Sequence, residues 1–315
     1  MDTNDYIICD FQSQVDFLLR KTAIKKSYNK NVVSFLNTEI GLDKAGLFKD
    51  RLRRTADNIL GCATYLGFTE HNGRALIGKA NFCRERICYV CAWRRQAKFL
   101  AQIKPILNLL GCRGYQFLFA TLTVKNCCYA DLDSTVSDIL AGFSKLLKRR
   151  KFARGWCGVA RAVELTYNES DNTFHPHLHL LIAVEEKYFS DSSLYISQRD
   201  LCLAWAEVLG LDYIPSCDIR KVTEESAGAV ETFKYTLKPS RAIDALRAFY
   251  YVLRGRRLIS FSGVFADVRR ELRLSDFESV LTDDVVAGGS RKFRLYEFDA
   301  TGGVYRFYKD FDFDI

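Results

Sequence analysis

The stretch from Gly155 to Val184, GWCGVARAVELTYNESDNTFHPHLHLLIAV, constrains the fold more than any other part of the chain. Two apolar, alternating segments flank NESDNT, a run of turn-forming residues, and this pattern predicts an antiparallel β-hairpin. Four histidines occur in the whole chain, and three of them, His175, His177 and His179, occupy alternate positions of the second segment. Alternation in a strand puts all three on one face and turns Leu178, Leu180 and Ile182 to the other, into a core. Same-face neighbours stand roughly 7 Å apart along a strand, near enough for imidazoles to converge on one divalent ion.

The same hairpin offers a third ligand. If it turns at the middle of 168–173, Glu164 faces His177 and shares its face. A carboxylate between Val163 and Leu165 is costly to bury without a cation, which either a metal ion or an Arg or Lys partner would supply. A slip of one residue in the turn would carry Glu164 off that face. Two imidazoles and a carboxylate with open positions suit Mn²⁺ or Mg²⁺ bound to phosphate oxygens as a Lewis acid.

The chain has eleven cysteines. An odd, scattered set argues against a disulfide framework, and the acidic start MDTNDYIICDFQ has no basic-then-apolar secretion signal, so a cytoplasmic protein is expected. Cys83, Cys88 and Cys91 lie within nine residues of one another, with knuckle spacing. With Cys62 as fourth ligand, or His71 in its place, they would form a closed structural Zn²⁺ site; the other reading is a set of buried free thiols.

At 315 residues the chain can bury a sizeable core as one large domain or two medium ones. Four prolines and no low-complexity tract argue against long disordered linkers, and no apolar run is long enough to span a bilayer, so no membrane is expected among its partners. The net charge is +8, with basic clusters at 84–98, 145–154 and 254–257. Any one cluster alone reads as a solvated helix face; three beside chemical motifs point toward nucleic acid.

Residues 1–45 read as a loosely organised lead-in, and 46–110 mix helical pattern with the cysteines. A helix after Cys91 should end at Gly111 with a kink at Pro105. Strands are expected at 116–124 and 213–222, and helices at 131–152, 197–209, 224–238 and 241–253, the last two split at Pro239. From Leu258 onward no element is assigned. The sum is an α+β pattern, divided into an N-terminal region (1–110), a catalytic domain (111–257) and a C-terminal extension (258–315).

In VETFKYTLK, residues 230–238, Glu231 and Tyr235 share a helix face at i and i+4, with Lys234 and Lys238 close by. Taken alone, one of sixteen tyrosines reads as structural. Beside a metal site it acquires a chemical reading. A phenol can attack a phosphodiester when a metal withdraws charge and a lysine stabilises the phenolate, and a carboxylate one turn away can later activate water.

Several motifs then fall in the order of a known family: FCRERICYVCAWRR at 82–95, FATLTVKN at 119–126, RAVELTYN with FHPHLHLLIAV, ETFKYTLK, and GRRLISFSGVF at 255–265. In these the chain resembles the rolling-circle replication initiator (Rep) proteins of small bacterial plasmids, within the HUH endonuclease superfamily, over roughly residues 55–280. The resemblance implies an antiparallel sheet flanked by helices, an N-terminal zinc-binding helical segment, and His177 and His179 as metal ligands. It implies that Tyr235 nicks one strand of plasmid origin DNA, at a hairpin or single-stranded site, keeping a 5′-phosphotyrosine bond and leaving a 3′-OH. Glu231 matches the position where some relatives direct the terminating water. A host helicase and DNA polymerase are the further partners implied. His175 lies outside the strict motif, and Tyr89 stands where relatives usually have proline. A relaxase or transposase of the same superfamily, and a non-catalytic zinc-containing DNA-binding regulator, are the competing readings.

Overall fold

The computed structural model describes residues 10–222, 242–274, 282–283 and 290–314. They form an α+β protein with two antiparallel sheets flanked by helices. The described residues fall into two compact units: 10–98, 242–246, 282–283 and 290–314 in one, 99–222 and 247–274 in the other.

The first unit opens with α1 (Phe11–Leu42), capped where the Asp10 carboxylate accepts the Ser13 amide. This corrects the expected lead-in. Its buried positions include Val15, Leu19, Thr22, Lys26, Asn29, Val32 and Leu36, a one-face stripe with three polar residues, Thr22, Lys26 and Asn29, in its middle. Then come α2 (Lys49–Leu60) and a hairpin of β1 (Tyr65–His71) and β2 (Arg74–Ala80), which the helical reading of 46–110 misses. Its turn is Asn72-Gly73, both with φ near the left-handed region, at 50° and 70°. The sheet is completed by β8 (Ser290–Asp299) and β9 (Val304–Asp314), in the order β2-β1-β8-β9.

The helix α3 (Tyr89–Cys112) contains Pro105 and runs one residue past the expected stop at Gly111. The second unit is built on a sheet of β3 (Gln116–Thr123), β4 (Gly158–Asn168), β5 (Thr173–Val184), β6 (Cys217–Lys221) and β7 (Ile259–Gly263), in the order β6-β3-β5-β4-β7. Around it lie α4 (Tyr129–Lys148), α5 (Arg150–Gly155), α6 (Gln198–Leu209), α7 (Ile243–Tyr251, shared between the units) and α8 (Val264–Glu271). The helix expected at 224–238 lies outside the described residues.

Both faces of β5 are covered. On the Leu178/Leu180 face, the guanidinium of Arg161 lies 5.9 Å from the Phe143 ring of α4. On the histidine face, Phe261 of β7 stacks on Phe99 of α3 and Phe117 of β3 meets Phe265 of α8. This second cover is unforeseen in the sequence, and His177 and His179 on that face are buried.

Where β7 turns into α8 the backbone closes on β4. Gly263 has φ +55°, and a Cβ there would sit 2.1 Å from the Cys157 carbonyl oxygen. Gly263→Ala is therefore expected to destabilise the chain by at least about 2 kcal/mol, combining backbone strain with overpacking. Chemical denaturation measures this, and an unchanged midpoint would contradict the close approach.

Candidate metal centres

The hairpin turns where NESDNT demands it. The side chain of Asn168 accepts the Ser170 amide at 3.1 Å and that of Asp171 accepts the Thr173 amide at 3.1 Å, while Asn172 adopts φ 55°. That turn sets the register, which pairs Glu164 with His177 and Ala162 with His179. Glu164 Oε2 lies 3.2 Å from His177 Nε2 and 2.7 Å from His179 Nε2, and the two Nε2 atoms are 3.1 Å apart. Adjacent ligands of an octahedral ion at ~2.1 Å stand about 3 Å apart, so the three atoms match one face of such a shell. They could hold a metal ion.

Each ring is held from behind. His177 Nδ1 lies 3.2 Å from the His175 carbonyl oxygen, and His179 Nδ1 lies 3.3 Å from Thr121 Oγ1. A ring proton on Nδ1 would leave each Nε2 lone pair to face a metal ion at the common point. Phe119 stacks on His179 at 5.6 Å. Thr121 and Phe119 belong to FATLTVKN, which reads from sequence only as a strand; their parity opposite His179 and Leu181 is what places them on the histidine face. His175 supplies its carbonyl to this arrangement, and its ring lies 5.2 Å from that of His177, tilted by 43°. Burial by itself would raise the Glu164 pKa, but hydrogen bonds and charge from His177 and His179 hold it well below the usual carboxylate range.

The first unit carries a second cluster. Cys62 follows α2, Cys83 and Cys88 lie on the loop after β2, and Cys91 is in the first turn of α3. The Sγ separations are 3.5 Å for Cys62–Cys91, 3.6 Å for Cys83–Cys91 and 3.6 Å for Cys62–Cys88. Four thiolates at ~2.3 Å from a tetrahedral ion would stand about 3.8 Å apart, so the set fits a metal. Of the two candidates for fourth ligand, Cys62 is the one brought to the cluster. Backbone amides of Cys83 and Arg84 point at the sulfurs of Cys62 and Cys91, at 3.4 and 3.3 Å. Burial alone would raise the Cys88 pKa, but hydrogen bonds from Cys62, Cys83 and Cys91 bring it well below the ordinary thiol value. Cys91, raised by burial and by its three neighbours, is pushed the other way.

Part of the first basic cluster is turned inward. Arg94 is buried and paired with Asp283 at 2.6 Å, and Arg95 and Lys98 are buried against backbone carbonyls. In the second, Arg149 and Lys151 pair with Glu207 and Asp200, whereas Lys145, Lys148, Arg150 and Arg154 are exposed. Glu231, Lys234, Tyr235 and Lys238 lie outside the described residues. No helix among the described residues is long and apolar enough to cross a membrane.

A chain with this sheet and two metal-capable clusters can be set beside known proteins. Residues 74–297 match the model of a family described as "Replication protein". The chain belongs to this replication protein family, in agreement with its motif order. It is 30% identical over 226 residues to a "Protein rep" of Staphylococcus aureus, covering 70% of this chain and 94% of that one. A "Protein rep" of Streptococcus pneumoniae is 34% identical over 210 residues, 64% of this chain and 66% of that one. Another, from a Bacillus species, is 36% identical over 172 residues, 54% and 55%. The chain thus spans between about half and two thirds of the length of these last two relatives. No solved structure matches it.

Proposed function

We propose that the chain is a plasmid replication initiator that nicks one strand at the double-strand origin and so starts rolling-circle replication. The observation that carries this reading is the convergence of Glu164, His177 and His179 inside the family-matched segment. Mn²⁺ or Mg²⁺ held there would withdraw charge from the scissile phosphate as a Lewis acid. Tyr235 is the nucleophile. Its phenolic oxygen attacks phosphorus, the bond from phosphorus to the 3′ oxygen breaks, and the leaving oxygen takes up a proton as a 3′-OH. The products are a 5′-phosphotyrosine link and a primer end for a host polymerase, with a host helicase opening the duplex ahead. Lys234 and Lys238 stabilise the phenolate, and Glu231 directs the water that ends the cycle. Zn²⁺ at Cys62, Cys83, Cys88 and Cys91 has a structural role. A DNA-binding regulator without catalysis would leave the buried carboxylate–imidazole cluster without a purpose.

The test uses purified protein, Mn²⁺ and a hairpin-forming oligonucleotide from the origin of the encoding replicon. The wild-type chain is expected to cut it once and to remain joined to the 5′ fragment through denaturing electrophoresis. Tyr235→Phe is expected to give no adduct. An adduct that persists in this variant removes Tyr235 from the mechanism, and cleavage by the wild type without any adduct removes the covalent route.

A further inference from the structure

The long helix α1 lies wholly upstream of the family-matched segment, yet it reaches the cysteine cluster. Asn29, 4% exposed, donates from Nδ2 to Cys88 Sγ at 3.2 Å and accepts the Tyr89 amide on Oδ1 at 2.9 Å. One side chain thus holds a sulfur and satisfies an amide in the first turn of α3, a group that turn cannot pair itself. One turn earlier Lys26, also buried, donates from Nζ to the carbonyl oxygens of Cys62 and Leu60 and lies 4.7 Å over the Phe298 ring of β8. Phe298 in turn donates its amide to the Thr64 carbonyl at 2.8 Å. Of the buried polar residues on α1, Lys26 and Asn29 are the two that reach the cysteine segment.

A divalent ion with four thiolates carries two net negative charges, and burying them is costly unless donors and cations surround the sulfurs. The knuckle supplies backbone amides to Cys62 and Cys91. Cys88, fully buried, receives a side-chain donor from Asn29. We propose that α1 is part of the metal site, with Asn29 and Lys26 as positioning residues that retain the cysteine-bound ion, so that ion binding and α1 docking stabilise each other. This rests on reading the cysteines as a metal site.

The experiment uses the full-length chain loaded with Zn²⁺, or with Co²⁺ as a spectroscopic substitute. Release of Zn²⁺ to a chromophoric chelator is followed for wild type, Asn29→Leu, Lys26→Met and Lys26→Arg. Asn29→Leu and Lys26→Met should release the ion at least about tenfold faster, as for other outer hydrogen-bond partners of metal ligands. Asn29→Leu should also shift the thiolate-to-cobalt charge-transfer band, and Lys26→Arg should restore slow release. Unchanged release and an unchanged band in Asn29→Leu would overturn the proposal, leaving α1 an ordinary packing helix. Should these variants not fold, hydrogen exchange on the wild type decides. Removing the ion should expose the amides of residues 11–42, and protection that survives removal refutes the coupling. A wild-type chain that takes up neither Zn²⁺ nor Co²⁺ overturns the metal reading itself, a separate result.

Discussion

His179→Ala is expected to abolish Mn²⁺-dependent nicking, lowering the rate by well over a hundredfold while leaving the sheet folded. Removing a group that only orients a metal ligand already costs about 10–100-fold, and His179 is a candidate ligand itself. Its Nε2 makes the shortest contact of the cluster, 2.7 Å to Glu164 Oε2. Without it Glu164 faces a single imidazole, and the carboxylate loses one of the two groups that keep it ionised. Glu164→Gln separates charge from shape, because it retains the volume and a hydrogen-bonding oxygen but not the negative charge. Manganese affinity, followed by the paramagnetic resonance of the free ion, should fall in both variants. Circular dichroism checks the fold. Wild-type affinity in His179→Ala would sink the assignment of this cluster as the catalytic metal site, whatever happens to nicking.

The second large effect concerns Cys88→Ala. Structural zinc contributes about 10–16 kcal/mol of apparent binding free energy in zinc-finger peptides, against a net stability of about 5–15 kcal/mol for a whole domain. Losing it is therefore expected to unfold the unit that holds the cysteines rather than loosen it. Cys62, Cys88 and Cys91 are completely buried, so the variant would leave an incomplete ligand set in the interior of the unit. The variant should lose its zinc by elemental analysis and become cleavable by a protease within residues 10–98. Full zinc content with unchanged protease resistance would show that Cys88 is not a ligand.

How far the fold is legible in the sequence differs from element to element. The β4–β5 hairpin is legible because strict alternation and a turn cluster specify both strand type and register, and one wrong residue would invert the faces. From that register Glu164 is found opposite His177. Helix α1 is missed because its stripe carries Lys26 and Asn29, which read as surface residues until their sulfur and carbonyl partners are known. The β1–β2 hairpin has its signal in Asn72-Gly73, obscured by helical pattern on either side. The strand β8 has no signal that names its partner, because pairing with β1 joins segments far apart in the chain. Thr121 is hidden for a related reason: a strand is recognisable, but the strand beside it is not. The basic run at 84–98 shows the converse, since Arg94, Arg95 and Lys98 serve internal contacts.

The strand order β2-β1-β8-β9 also sets a timetable for synthesis. As the chain leaves the ribosome, the strands bearing Glu164, His177 and His179, β4 and β5, are both complete at Val184. The outer edge of β1 must wait for β8, which begins at Ser290. Until then the nascent chain displays an open row of backbone donors and acceptors beside its cysteines, a surface that invites pairing with another nascent copy. Ribosomes crowded on one message would feel this most.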